Sequence, residues 1–281
     1  MNASGATAGL GLLSAASWGG SDFAGGVGAR RAPALLVVAS GQILTMVVLL
    51  GWCVAMRLAV PGPPMLFYAG LGGFEGSVAL AVFYRALAMG AMGLTAALTG
   101  LLTALVPVVF ALLREGLPTP LAGAGLVAGL AAIWLITHSP GDKGAGTPRT
   151  ALLLGALAGV GFGAQMILFK MASGGGIVWA MTSARVAGVA ALLLVLAVMP
   201  PGGPKKGFWL TGILAGVLDT AGNGFYIRAA QFGRLETAAV ICSLYPGVTI
   251  LLAALVLREW PTRRQMAGMA LALAAVVLLS L

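Results

Sequence analysis

Ala34-Leu35-Leu36-Val37-Val38-Ala39-Ser40-Gly41-Gln42-Ile43-Leu44-Thr45-Met46-Val47-Val48-Leu49-Leu50-Gly51-Trp52-Cys53-Val54-Ala55-Met56 runs without a charged residue between Arg30-Arg31 and Arg57. A helix of about 20 apolar residues crosses the hydrocarbon core of a bilayer. This stretch is long enough, and its flanking arginines fall where a span would meet the headgroups. Outward from it the pattern recurs. Spans are expected at residues 8–28, 34–56, 65–86, 93–113, 120–138, 150–171, 177–198, 208–230, 237–257 and 264–281. Of the 281 residues, 60% are hydrophobic and 8% charged, with mean hydropathy +1.03. A soluble domain is about 45–50% apolar and about 25% charged. The composition excludes a soluble enzyme and a disordered chain, and the continuous apolar runs exclude an outer-membrane barrel. The expected fold is an all-α polytopic membrane protein of ten transmembrane helices.

Sixteen Lys+Arg against seven Asp+Glu give a net charge of +9. Most of these cations sit singly or in pairs between apolar runs, so they read as anchors at the membrane surface rather than as a nucleic-acid footprint. Cys53 and Cys242 lie within apolar runs, and no disulfide is expected. The first run carries Asp22, lacks a charged leader and opens into further spans, unlike a signal peptide. No loop is long enough for a folded extramembrane domain, which places function within the bilayer.

The longest polar stretch, His138 to Arg149, divides the chain into residues 1–137 and 150–281. A shift of 143 positions lays one half on the other: Arg85-Ala86 on Arg228-Ala229, Gly90 on Gly233, and Pro118-Thr119 on Pro261-Thr262. Arg114-Glu115 meets Arg258-Glu259 after a slip of one residue. Each half holds five spans. An odd number makes the second copy enter the membrane in the opposite sense, giving two inverted five-helix repeats. In transporters of that plan the substrate site lies near the midplane between the repeats.

Several motifs resemble the drug/metabolite transporter superfamily of the EamA type. Ser14-Ala15-Ala16-Ser17-Trp18-Gly19-Gly20-Ser21-Asp22-Phe23 is similar to its Trp-Gly element in the first helix. Phe83-Tyr84-Arg85-Ala86-Leu87 resembles its third-helix end, and Ser243-Leu244-Tyr245-Pro246, with Glu259 thirteen residues on, its fourth-helix signature. Arg185 matches an arginine early in a repeat's second helix. Two departures stand out: Pro107 lies later than the proline of the first repeat, and Gly161-Phe162-Gly163 replaces the second Trp-Gly element. The resemblance implies ten helices in the inner (cytoplasmic) membrane and export or exchange of metabolites, amino acids among them. It also implies cytoplasmic termini, whereas the distribution of cations among the loops would put both termini outside.

Ionisable residues within spans are costly, about 2.5 kcal/mol or more each, and so mark function. Asp22, Glu75, Asp219 and Arg185 are of this kind. The register sets Asp22 on Gln165, Gln42 on Arg185, and Glu75 within one residue of Asp219. These positions are expected to converge on a substrate cavity, with Trp18, Tyr84, Asn223, Tyr226 and Tyr245 as further lining residues. Glu75 and Asp219 are the proton-coupling candidates, and Pro107 and Pro246 the expected helix breaks. Arg85, Arg114, Arg228, Arg258 and Lys170 fall at span ends and are expected to reach out to the headgroups.

His138 is the one histidine, and no metal-ligand spacing, phosphate-binding loop or nucleophile elbow occurs. No metal, cofactor or catalytic residue is therefore expected, and an intramembrane enzyme or channel ranks last. The expectation is a secondary transporter, working by alternating access as monomer or homodimer, with proton coupling open. Its expected substrate is a small polar metabolite. An amino acid comes first, because Arg185 could hold a carboxylate while an acid holds the ammonium; an organic cation is the alternative.

Overall fold

The computed structural model describes residues 3–29, 32–87, 92–137, 149–198, 202, 207–258 and 262–280. Of the expected linker 138–149, only Arg149 is among them. The described residues form helices and contain no strand. The first half supplies α1 (Ala3–Ala29), α2 (Ala34–Ala55), α3 (Pro63–Leu87), α4 (Met92–Glu115) and α5 (Pro120–Thr137). The second supplies α6 (Arg149–Ala172), α7 (Ile177–Val198), α8 (Phe208–Phe232), α9 (Leu235–Cys242), α10 (Tyr245–Leu252) and α11 (Arg263–Ser280). Each expected span is thus helical over most of its length. Among the described residues, five stretches are by themselves long and apolar enough to cross a membrane: Ala34–Ala55, Pro63–Phe83, Arg149–Gly175, Ile177–Val198 and Leu235–Val256.

The bundle is built inside out relative to a soluble protein. Large apolar side chains such as Val54, Leu113, Leu153 and Leu194 face outward, while alanine dominates the buried positions. Lipid supplies no hydrophobic drive between helices, so close backbone approach by small residues takes its place.

The packing is symmetric under exchange of the halves. Helix α1 packs on α8 as α6 packs on α3, and α2 crosses α8 as α7 crosses α3. The crossings use register mates. At Gly41 a Cβ would fall onto the Gly212 carbonyl and the Gly216 backbone; at Gly73 it would fall onto the Ala184 backbone. A shift of 143 takes Gly41 to Ala184 and Gly73 to Gly216.

The two expected helix breaks differ. The ninth span divides into α9 and α10 across Ser243-Leu244, and a π-turn at Ala253–Leu257 follows. Pro246 lies in the first turn of α10, where its missing N–H is harmless. Helix α4 instead runs unbroken through Pro107, a correction to the expected break. Gly163 of α6 brings Val106 and Pro107 into close contact, and this packing holds α4 together where the proline removes a backbone bond.

Candidate functional site

Contacts across the bundle define its two ends. At the near end the start of α1 meets the end of α8, where Thr7 packs on Gly233. At the far end Gly28 packs on Thr211 and Val37. A cavity of about 160 Å³ begins at mid-bundle and extends toward the far end. Trp18, Asp22 and Gly25 line it from α1, Val37 and Gln42 from α2, and Gly73, Gly76, Ser77 and Phe83 from α3. The second half contributes Gln165 and Phe169 (α6), Arg185 (α7), Gly216, Asp219 and Asn223 (α8) and Tyr245 (α10).

Most of the expected residues therefore meet. Asp22 lies with its mate Gln165, and Gln42 with its mate Arg185. Arg185 is ion-paired with Asp219; its side chain is 6% exposed and that of Asp219 35%. Asn223, one turn along α8, donates to Asp219 Oδ2 at 3.2 Å. The ninth-span break puts Tyr245 edge-on to Trp18, with ring centroids 6.3 Å apart. Thr249 Oγ1 donates to Gly19 O at 3.1 Å and ties α10 to α1 just beyond.

Glu75 is not among the lining residues. The register mate of Asp219 is Gly76, and it is Gly76 that faces the cavity, covered by the Gln165 side chain. One residue turns a helix by about 100°, and Glu75 lies instead against Gly161 of α6. Tyr226 also stands behind the wall. It is fully buried, donates to Met166 O at 2.8 Å, and supports Trp18 with ring centroids 6.0 Å apart. The Tyr84 side chain lies outside the described residues.

Among the described residues that line the cavity, two buried polar atoms have no partner: Gln42 Oε1, an acceptor, and Arg185 Nε, a donor. Sequence reasoning missed Ser21, Ser77, Thr103, Phe83, Phe162 and Phe169, because small hydroxyls and single aromatics in apolar runs carry no distinguishing signal. Among the described residues no His/Cys/Asp/Glu group has the geometry of a metal site. Cys53 and Cys242 are free and buried.

A second ionic group lies at the near end. Arg234 pairs with Glu236, approaches Glu115 Oε2 at 4.0 Å and donates to Gly116 O at 2.7 Å. Lys170, expected to reach outward, donates inward to Ala230 O and to Gly233 O at 2.8 Å. In the sequence this group lies at Arg234-Leu235-Glu236, between the expected spans 208–230 and 237–257.

The model of the EamA-like transporter family matches residues 149–281. A solved structure described only as the crystal structure of a protein matches with TM-score 0.79 and 20% identity, covering 98% of each chain. The latter speaks to the fold alone. Comparison with curated proteins gives no match. The resemblance to the EamA-type drug/metabolite transporters is therefore borne out over the second half. With its membrane-length helices, the chain is a multi-pass all-α membrane protein whose second half matches the EamA-like transporter family.

Proposed function

We propose that this EamA-type protein is a secondary transporter that carries a small polar metabolite through the mid-bundle cavity by alternating access. The observation that carries the reading is convergence. Polar positions related by the internal register, from both halves, line one cavity that extends toward the far end while ionic contacts fasten the near end. Halves of five spans each, packed with exchange symmetry, form an inverted pair in this reading. Rocking them against each other would close the far end and open the near one around a fixed site. The unit moves solute across the inner membrane as an exporter, with no chemical conversion.

Asp22 suits a substrate amine. The amino acid expected from Arg185 requires that residue to leave Asp219. The second reading, an organic cation, is favoured by the Arg185–Asp219 pair as it stands.

Proteoliposomes holding the full chain, loaded with a panel of amines, amino acids and neutral metabolites, test the function. Counterflow of one solute class that depends on the protein is expected. Conversion of a solute without its movement across the membrane would replace the transporter reading with an enzyme.

A further inference from the structure

Charge bookkeeping in the cavity points to a narrower substrate class. The sequence offers three acids and one arginine for this site. Glu75 lies off the cavity, and Asp219 is already joined to Arg185, so that pair sums to zero. Asp22 remains: it lines the cavity and makes no hydrogen bond or ion pair among the described residues. With Asp22 ionised, the cavity so arranged has a net charge of one minus. Gln42 Oε1, a buried acceptor without a partner on a residue 8% exposed, adds to its demand for donors. Among the described residues that line it, Arg185 Nε–H is the buried donor without a partner.

Resting on the reading of this cavity as the transport site, we propose that it binds an organic monocation carrying a neutral hydrogen-bond acceptor, not a zwitterion. The ammonium sits on Asp22 beside Trp18, one helical turn away on the same face of α1, and Tyr245. Its N–H groups meet the carboxylate and Gln42 Oε1, and the ring faces add cation–π attraction. An amide, ester or hydroxyl oxygen on the ligand takes Arg185 Nε–H while Asp219 keeps its place. A zwitterion fits less well for a definite reason. Its carboxylate would displace Asp219 from Arg185, leaving Asp22 and Asp219 to share one ammonium, and a carboxylate left without a cation in a low-dielectric site is costly. A monocation brings the cavity to neutrality with every ion paired. A volume of about 160 Å³ matches a compact apolar body, since an engineered cavity of about 150 Å³ admits benzene.

Leucine and leucinamide test this directly, because they are isosteric and differ in net charge. Binding is measured by calorimetry on the full chain in lipid nanodiscs, at a pH where the amide's amine is protonated, with isoamylamine as the ligand lacking an acceptor. Leucinamide is expected to bind about tenfold or more tighter than leucine, and isoamylamine between them. Asp22→Asn should weaken leucinamide and isoamylamine about tenfold and leave leucine unchanged or stronger; Glu75→Gln, off the cavity, should change none of them. Leucine binding as tightly as leucinamide, an equal loss of both in Asp22→Asn, or no binding of either amine overturns the proposal. The wild-type comparison stands even if Asp22→Asn fails to fold. Protein-dependent transport of a neutral or anionic solute alongside such a result would leave the transporter reading intact and remove the monocation alone.

Discussion

Arg185 with Asp219 and Arg234 with Glu236 are both ion pairs within a helical bundle, and they differ in what they leave open. In the cavity pair Arg185 is buried but Asp219 is 35% exposed, and Arg185 Nε remains unpartnered. In the near-end pair Glu236 is 0% exposed, and Arg234 continues to Glu115 and to Gly116 O, so the group fastens α4 to α9. Lys170 adds α6 to α8 through the last carbonyls of α8. The difference teaches that a costly buried charge can serve as a seal or as a site. It is a site where open space remains beside it; a buried polar atom without a partner, Arg185 Nε in one pair and Glu236 Oε2 in the other, is common to both. The near-end charges also break the internal repeat, for the same shift leads from Lys170, Arg234 and Glu236 to Val27, Ala91 and Gly93. Closing the near end therefore uses ion pairs that these mates cannot offer at the far end.

Removing one partner of the seal is the strongest way to break this comparison. Arg234→Met leaves Glu236 buried without its cation. Stability should fall by about 3 kcal/mol, the low end for a broken buried pair, because Arg234 itself is partly exposed. Arg234→Met with Glu236→Leu should recover most of the loss, since an apolar pair of similar volume can replace a buried ion pair. Thermal melts in detergent measure both. A double variant no more stable than the single would mean that the pair is not the seal.

Crowding the helix crossing beside the cavity pair is expected to matter next. A Cβ at Gly73 meets the backbone of Ala184, the neighbour of Arg185. Gly73→Ala should cost about 1–3 kcal/mol by overpacking, and the same change at its mate Gly216, against Gly41, should cost a similar amount. Melts of the two variants compare the repeats directly. A large loss at one site and none at the other would show that the exchange symmetry of the packing does not extend to its energetics.

Much of this was legible in the sequence, for physical reasons that differ by residue. Apolar runs near 20 residues mark helices because lipid demands both length and internal hydrogen bonding. The register that set Gln42 on Arg185 and Asp22 on Gln165 found residues that share the cavity. It failed at Glu75, where a slip of one residue was allowed and the side chain turned away. Read strictly, it gives Gly76, a glycine that no chemical pattern selects. The unbroken helix through Pro107 depends on contact with Gly163 in the other half, which no local pattern contains. Lys170 was assigned to the headgroups from its place in the chain, but its direction is set by the carbonyls that end α8.

Asp219 tests the cavity side of the comparison. Asp219→Asn retains an amide for hydrogen bonds and removes the charge that neutralises Arg185. A charge-assisted bond contributes about 1.5–3 kcal/mol, so transport of any cationic solute should fall about tenfold or more in proteoliposomes, with Arg185 left as an uncompensated positive charge facing the substrate. Transport at the wild-type rate would show that the pair opens during the cycle without a role in binding.

The smallest effect is expected at Glu75, and it sharpens the boundary between site and scaffold. The sequence made Glu75 and Asp219 equal candidates for proton coupling, but Glu75 packs beside Gly161, outside the cavity lining. A carboxylate that neither faces the substrate nor lines its route has no direct way to exchange a proton against it. Glu75→Gln keeps the shape of the side chain and its hydrogen-bonding capacity and removes the titrating group. Transport in proteoliposomes should stay within about twofold of wild type, since substitutions away from a site usually shift energies by no more than about 0.5 kcal/mol, and its pH dependence should be unchanged. A flattened pH profile in this variant, with Asp22→Asn retaining the wild-type profile, would move the coupling group out of the cavity and into the contact between α3 and α6. The two carboxylates in the spans of the first half would then have exchanged the roles that geometry assigns them.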